Sequence, residues 1–379
     1  MRALRVDPTE SADPLPDVRA IARDAADACR AEAAALDRSG LVPPSSIRRL
    51  GEAGLLAAPL GLDAGGWGLG GTPGSTARLL EILTIIGGGD LAIGRLYEGH
   101  VNALLLVDRF GTPTQRQRVA MAVRHHHALL GVWNTDTAAP LTLVRAGSAW
   151  HLAGGKSFAS GVGLVAHALV TARRPDGGRQ MLLVPMADLA CRIDRTSWQP
   201  LGMRASMSFH IDLEGVGVGA DAFLGQANDY LAEPWFSAGC IRFLAVQLGG
   251  ALALLRTVHA HLRRTGREGD PYQIERFARM RVAVETGRLW LDRAAAVFDG
   301  TDAPAEIIAT ANMARHAIEQ ASTLTLELAG RSVGVQGMLA PHPMERLIRD
   351  LSTYMRQPAP DAALASVGRA ALAADELPW

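Results

Sequence analysis

Cysteine is scarce in this chain of 379 residues: Cys29, Cys191 and Cys240 are the only three, far apart and without metal-ligand spacing. That excludes a disulfide framework or a cysteine-based zinc site and points to buried thiols in a reducing cytoplasm. Charge of one sign is missing as well. The 38 basic and 38 acidic side chains cancel, so nothing steers the protein toward nucleic acid or anionic lipid. Long hydrophobic runs are absent too. The stretch 243–255 is interrupted by Gln247, Gly249 and Gly250 and falls short of the roughly 20 apolar residues that span a bilayer. The first seventeen residues carry no apolar signal segment, and no internal repeat or low-complexity linker is evident. His125, His126 and His127 are adjacent and so diverge in direction, which makes them a solvated helix end or loop and not a metal site.

What the chain does carry is helical at both ends. Over residues 17–36 an alanine-rich run puts Val18, Ile21, Ala25 and Ala28 at three- and four-residue spacing. This predicts a helix that stops near Ser39 and Gly40, before Pro43 and Pro44. Further helices are expected over 45–53, 75–86 and 88–110. The glycine-rich loop 63–71 has neither the dinucleotide fingerprint after a strand nor the Lys-Ser/Thr of a phosphate loop, so it reads as a connection. From about Leu129 the pattern turns to short strands. Residues 149–160 have the form of a hairpin around Ala153, Gly154 and Gly155, and strands are expected at 166–172, 180–184 and 209–213. After Pro234 helical patterns return over 236–264, 272–298, 303–330 and 343–354.

Helices, then a compact β middle, then helices excludes a doubly wound dinucleotide fold, which alternates strand and helix. The expected fold is α+β and multidomain: an N-terminal helical domain (1–127), a β-barrel-like middle domain (128–229) and a C-terminal four-helix bundle (230–379). Five segments in this order carry a resemblance: IRRLGEAGLLAAPLGLDAGGWGLGG (47–71), DRFGTPTQRQ (108–117), HLAGGKSFASGVGLVAHALVTAR (151–173), SWQPLGMRAS (197–206) and GMLAPHPMERLIRD (337–350). Together they resemble the acyl-CoA dehydrogenase family over nearly the whole chain.

The resemblance implies a flavin-dependent oxidoreductase binding FAD, with FMN or a reduced flavin as the alternative, in the cytoplasm. By position, Phe158 would stack near the flavin ring, Ser160 would place a hydroxyl by its reactive nitrogen and carbonyl, and the backbone from Val132 through Trp133 and Asn134 to Asp136 would line the pyrimidine side. Arg263 and Arg264, with Arg331, would meet the diphosphate, although Glu327 stands where a glutamine is usual. The adenosine end would reach a neighbouring subunit. The resemblance therefore also implies a homodimer or homotetramer with an apolar interface over 303–330, a small-molecule substrate such as an acyl-CoA, and an electron-transfer or flavin-reductase partner.

One expected group is missing. The stretch ERLIRDLSTYMRQPAPD (345–361) resembles the last active-site segment of the family, with Arg349 and Asp350 in place, but the position of the proton-abstracting glutamate holds Pro358. The second place the family puts that carboxylate, before the arginine of the first long bundle helix, holds Ile241. Neither side chain accepts a proton. Glu98 in Tyr97-Glu98-Gly99 imitates the late motif from the N-terminal region and is read as solvated or helix-paired. His100 beside it, and Phe158-Ala159-Ser160-Gly161, resemble features of the family's reduced-flavin monooxygenases, in which such a histidine serves oxygen chemistry; a satisfied histidine in a helix interface is the other reading. Three functions stay open: an acyl-CoA dehydrogenase-like oxidoreductase, a two-component monooxygenase, and a catalytically silent binding or assembly protein.

Overall fold

The computed structural model describes residues 17–374 apart from 188, 190 and 191. Cys191 and the first sixteen residues, on which part of the thiol and signal-segment expectations rest, lie outside the described residues; Cys29 and Cys240 are buried. Helix α1 (Val18–Ser39) opens where the Asp17 carboxylate accepts the Ala20 N–H and closes at Gly40, whose φ of 66° is left-handed. Helix α2 (Pro44–Glu52) follows, then α3 (Thr76–Gly89) and α4 (Leu91–Phe110). The break between the last two falls at Asp90 and not before Gly88, because the extended Asp90 caps α4 through the Ile93 N–H. Helix α5 (Pro113–His126) starts with a reciprocal Thr112/Gln115 capping box and ends at His127.

The middle of the chain forms two sheets. Seven strands make the first: β1 (Leu129–Trp133), β2 (Thr142–Ala146), β3 (Ala149–Ala153), β5 (Val165–Arg173), β6 (Arg179–Pro185), β9 (Gly217–Val218) and β10 (Phe223–Leu224). Three make the second: β4 (Gly155–Ala159), β7 (Ile193–Asp194) and β8 (Phe209–Asp212). The expected hairpin over 149–160 is corrected here. Its two arms are strands, but they belong to different sheets: β3 pairs with β2 around Gly147 and Ser148, while β4 pairs with β8. Gly154, at φ 96°, turns the chain from one sheet to the other, and a Cβ on Gly155 would lie 2.5 Å from the Ile211 carbonyl oxygen of β8.

The helical end consists of α6 (Trp235–Ala238), α7 (Cys240–Arg264), α8 (Pro271–Gly300), α9 (Pro304–Val333), α10 (Pro343–Tyr354) and α11 (Pro360–Ala373), the last not anticipated from sequence. Trp235–Arg264 is, against the expectation above, long and apolar enough by length and composition to cross a membrane; 78% of its apolar window is buried inside the chain, as befits the core of a bundle. The apolar positions of α9 are largely enclosed by α7 and α8. Among the exposed large apolar side chains are Tyr272, Ile274, Val282 and Leu289 on the neighbouring α8 and Val335, Met338 and Leu339 after α9.

Helix α10 ties the three parts together. The Arg349 guanidinium meets Asp37 of α1 at 2.7 Å and the Leu201 carbonyl at 3.1 Å, and also pairs with Glu345. Arg346 lies between Asp90 and Asp350, and Asp350 accepts the Met203 N–H at 2.6 Å.

Candidate active site

The ends of β1 and β4 meet beside α4. Phe158, the penultimate residue of β4, has φ 52°, a left-handed conformation that costs an aromatic residue on the order of 1–3 kcal/mol. It is 57% exposed and packs edge-on against Trp198 at 6.1 Å. Next to it the Ser160 hydroxyl lies 2.8 Å from Ser208 Oγ, which in turn lies 2.8 Å from Ser206 Oγ. Trp133 is a core side chain whose indole N–H donates to the Ser160 carbonyl at 3.0 Å, and Val132 is half-buried beside it. Asn134 is committed within the β domain: its backbone carbonyl accepts from Lys156 Nζ at 3.0 Å and its Oδ1 from Thr171 at 2.7 Å. Lys156, the only lysine of the chain, is fully buried and pairs with Asp136 at 2.7 Å, while Arg179 holds the other oxygen of Asp136 at 3.0 Å.

The arginines expected at a diphosphate lie elsewhere. Arg263 and Arg264 end α7 and are exposed; Arg264 lies 3.2 Å from His261 Nδ1, and Arg331 at the end of α9 pairs with Glu327 at 2.9 Å. The start of α10 is at this end of the bundle, where His342 meets His261, and its far end bonds the Gly202 N–H through Thr353. Twelve helical residues separate the two by about 18 Å. One chain therefore brings Phe158, Ser160, Val132 and Trp133 together but not Arg263, Arg264 and Arg331 with them. A cavity of about 1570 Å³ between α1, α3, α7 and α8 has Arg264 on its wall but neither Phe158 nor Ser160.

His100 is fully buried and both ring nitrogens are occupied. Nδ1 accepts the Leu130 N–H at 3.0 Å, which leaves the proton on Nε2 to donate to the Leu56 carbonyl at 2.8 Å. Burial pushes its pKa down to about 4. The ring thus joins the loop after α2 to β1, and neither nitrogen is free for a ligand. His210, half-buried on β8, receives its backbone order from Ser197 Oγ at 2.7 Å. Among the described residues no cluster of three or more His, Cys, Asp or Glu could hold a metal.

Sequence reading passed over a charged cluster on the inner face of α4. Arg95 donates to Glu98, Asn102 donates to the other oxygen of Glu98, and Arg242 of α7 donates to Asn102 Oδ1. Glu98 is 2% exposed, so it is helix-paired but not solvated. Tyr230 and Tyr354 flank the cluster, and burial raises both phenols. The signal was available: Arg95, Glu98 and Asn102 fall at i, i+3 and i+7 within a mostly apolar stretch of α4. Arg95 and Ser160 line one small cavity together with Gly99 and Val132, whereas Asn102 and Arg242 line another of about 460 Å³. Of the two positions expected to carry a base, Ile241 is buried in α7 and the Pro358 carbonyl is held by Arg315 at 2.6 Å.

Residues 16–123 match the family described as acyl-CoA dehydrogenase, N-terminal domain, and residues 232–355 match acyl-CoA dehydrogenase, C-terminal domain. The chain belongs to the acyl-CoA dehydrogenase superfamily. It is an acyl-CoA dehydrogenase-like flavoprotein, and its helix–sheet–helix order is the fold of that superfamily. Its relatives divide in chemistry. The mitochondrial short-chain specific acyl-CoA dehydrogenase of Bos taurus is 27% identical over 338 residues, 84% of this chain and 80% of that protein. The dibenzothiophene monooxygenase of Mycolicibacterium goodii is 24% identical over 254 residues, 62% of this chain but only 60% of that protein. Among solved structures, FMN-bound TdsC from Paenibacillus sp. A11-2 superposes with a TM-score of 0.82 at 20% identity, covering 93% of this chain and 96% of that one.

Proposed function

We propose that this protein is a flavin-dependent monooxygenase that uses flavin reduced by a separate reductase. One observation carries the reading: both positions at which a dehydrogenase of this family keeps its base are occupied by side chains without a proton acceptor, Ile241 and Pro358. Glu98, a buried carboxylate of α4, has both oxygens engaged by Arg95 and Asn102. Similarity to dibenzothiophene monooxygenase supports the same direction. Bound flavin, once reduced, supplies activation of dioxygen and oxygen transfer. The exposed, strained Phe158 suits stacking against a flat ring, and the chain Ser160–Ser208–Ser206 suits hydrogen bonding to a polar ring edge. Val132 and the carbonyl-braced Trp133 line the adjoining wall, and Asn134 orders that wall from within the β domain.

His100 enters as a positioning residue that fixes Leu130 at the start of β1. The one-chain site offers contacts for the flavin ring that FMN and FAD share. FAD would need Arg263, Arg264 and Arg331 of a second copy, and the apolar face of α8 is the surface that would bring it. The test is direct. Protein loaded with FMN or FAD is reduced chemically without oxygen and then exposed to it, and reoxidation is compared with that of free flavin. In a second cell, butyryl-CoA is added to the oxidised protein under anaerobic conditions. A bound flavin whose reoxidation differs from free flavin and that butyryl-CoA leaves oxidised is the expected result. Rapid bleaching by butyryl-CoA would restore the dehydrogenase reading, and failure to bind either flavin would leave the silent binding protein.

A further inference from the structure

Two non-glycine residues with left-handed backbone, Phe158 at φ 52° and Met203 at φ 60°, are joined by Trp198. The indole N–H donates to the Met203 carbonyl at 3.2 Å, and the ring meets Phe158 edge-on at 6.1 Å. Met203 is buried and over-determined, as such a conformation requires. Its carbonyl also accepts the Ser206 N–H at 3.0 Å, and its own N–H donates to Asp350 Oδ1 at 2.6 Å. Helix α10 therefore holds the loop that carries Trp198. The seat is close: the Gly202 N–H donates to Thr353 at 3.0 Å, and a Cβ on Gly202 would lie 2.1 Å from the Arg349 carbonyl oxygen.

The carboxylate that grips Met203 does not stand alone. Its other oxygen lies 3.1 Å from Arg346 Nη1, and Asp90 Oδ2 lies 3.2 Å from the same nitrogen. The Asp90 and Asp350 side chains are only 3% and 5% exposed, so two acids share one guanidinium out of water. Burial and the nearby Asp90 raise the Asp350 carboxyl to about 6, and burial raises Asp90 as well. A proton taken up here belongs to the pair. Asp37 of α1 faces both acids and is itself held by Arg349, and Cys29 of α1 faces Asp90. Farther along α10, Tyr354 faces Glu98 and Arg95 of α4, while His342 faces His261 and Arg264 of α7. Residues 198–203 and 334–338 carry no titratable side chain.

We propose that Asp350 is a positioning residue that sets the Trp198 and Phe158 platform through Met203, and that a proton shared between Asp350 and Asp90 switches how firmly the platform is held. An ionised carboxylate accepts an N–H roughly twice as strongly as a neutral group does. The Met203 link is therefore tight when Asp350 is ionised and slackens when it takes the proton. This rests on the reading of Phe158 as the surface on which the flavin ring stacks, and adds a regulation to that site: flavin is held more firmly on the alkaline side of the transition than on the acid side.

Full-length protein labelled with fluorotryptophan is followed by fluorine NMR without flavin, and Trp198→Phe identifies the Trp198 signal among the seven tryptophans. The signal should move with pH, with its midpoint near 6. Asp350→Asn keeps an acceptor for Met203 but does not titrate, so it should hold the signal still. Asp90→Asn removes the competing carboxylate and should lower the midpoint by on the order of one pH unit, which a merely structural Asp350 would not produce. If one variant fails to fold, the other decides. His210, whose N–H is held by Ser197 next to Trp198, is the control, and His210→Gln should leave the midpoint in place. A signal that ignores pH, that still moves in Asp350→Asn, that keeps the wild-type midpoint in Asp90→Asn, or that stops moving in His210→Gln overturns the proposal. FMN affinity is measured on the same proteins. From about pH 7.5 to about 5.5 wild type should lose severalfold more affinity than Asp350→Asn, a comparison in which titration of the FMN phosphate cancels. Equal losses, or no FMN binding, with the Trp198 response intact defeat the flavin placement but leave the proton link standing.

Discussion

The indole N–H of Trp133 donates to the carbonyl of Ser160 at 3.0 Å, so a core side chain of one strand end fixes the backbone of the other. That bond holds Ser160 while its neighbour Phe158 is forced into a left-handed conformation with its ring toward solvent. Strain of this kind persists where the surroundings over-determine it. Phe158→Gly should therefore keep or raise the melting temperature, since glycine adopts φ near 50° without penalty, and yet weaken flavin binding clearly. Ser160→Ala should weaken it by about 1 kcal/mol, the value of one hydrogen bond. Fluorescence titration with FMN and thermal unfolding check both, and a Phe158→Gly variant that loses stability but not flavin would refute the placement.

Arg349 should matter more to folding than to chemistry. Its guanidinium is 14% exposed and joins Asp37 and Glu345 to the Leu201 carbonyl, which couples α1, α10 and the β domain. Removing one partner of a mostly buried pair strands the others, so Arg349→Ala should cost about 3 kcal/mol. Arg349→Lys should recover only part, because an ammonium cannot reach two carboxylates and a carbonyl in the same fork. Urea unfolding measures both.

The fold was legible where the deciding chemistry is local. Asp17 and Gly40 mark the two ends of α1 through a carboxylate cap and a left-handed terminus, and both are visible as residue types. Pro358 and Ile241 were equally plain, because the absence of an acceptor needs no coordinates. The hairpin misreading had a non-local cause. Gly147 with Ser148 and Gly154 with Gly155 are both plausible turns, and the choice is made by β8, which recruits β4 away from β3. His100 and Glu98 were hidden in the same way. The Leu56 carbonyl and the Leu130 N–H that occupy the imidazole come from other segments, as does the Arg242 that meets Asn102.

His100 should carry a pH signature in stability. Its pKa is near 4 in the folded chain against about 6.5 when unfolded, because burial disfavours the imidazolium. Above pH 6.5 the ring is neutral in both states and contributes no slope. As pH falls from 6.5 to 4 the unfolded chain takes up the proton first, so stability drops, by roughly 3 kcal/mol in all, and levels off below 4. Asp350, raised to about 6 by burial and by Asp90, works in the opposite sense over part of this range, since it favours the folded state as pH falls. Comparing wild type with His100→Gln cancels that contribution. The glutamine can still donate to Leu56 but does not titrate, so the difference between the two unfolding curves should fade below pH 6.5 in the direction of a relatively more stable variant at pH 4. Flavin reoxidation should change little in the same variant.

Dehydrogenation of acyl-CoA should be undetectable or very slow. General-base catalysis contributes on the order of a hundredfold to ten-thousandfold, and no free carboxylate stands at either expected position. Restoring a glutamate at the late position should not rescue it. The Pro358 carbonyl is already held by Arg315 at 2.6 Å, so the new carboxylate of Pro358→Glu would lie within reach of that guanidinium and be drawn into an ion pair, which lowers its basicity. Anaerobic spectra of wild type and Pro358→Glu with butyryl-CoA should both retain the oxidised flavin bands over minutes. Bleaching in the variant alone would mean that the loop after α10 can present a base to the substrate and that Arg315 does not capture it. Bleaching in both would mean that another residue of this chain abstracts the proton, with Glu98 the first to test by Glu98→Gln.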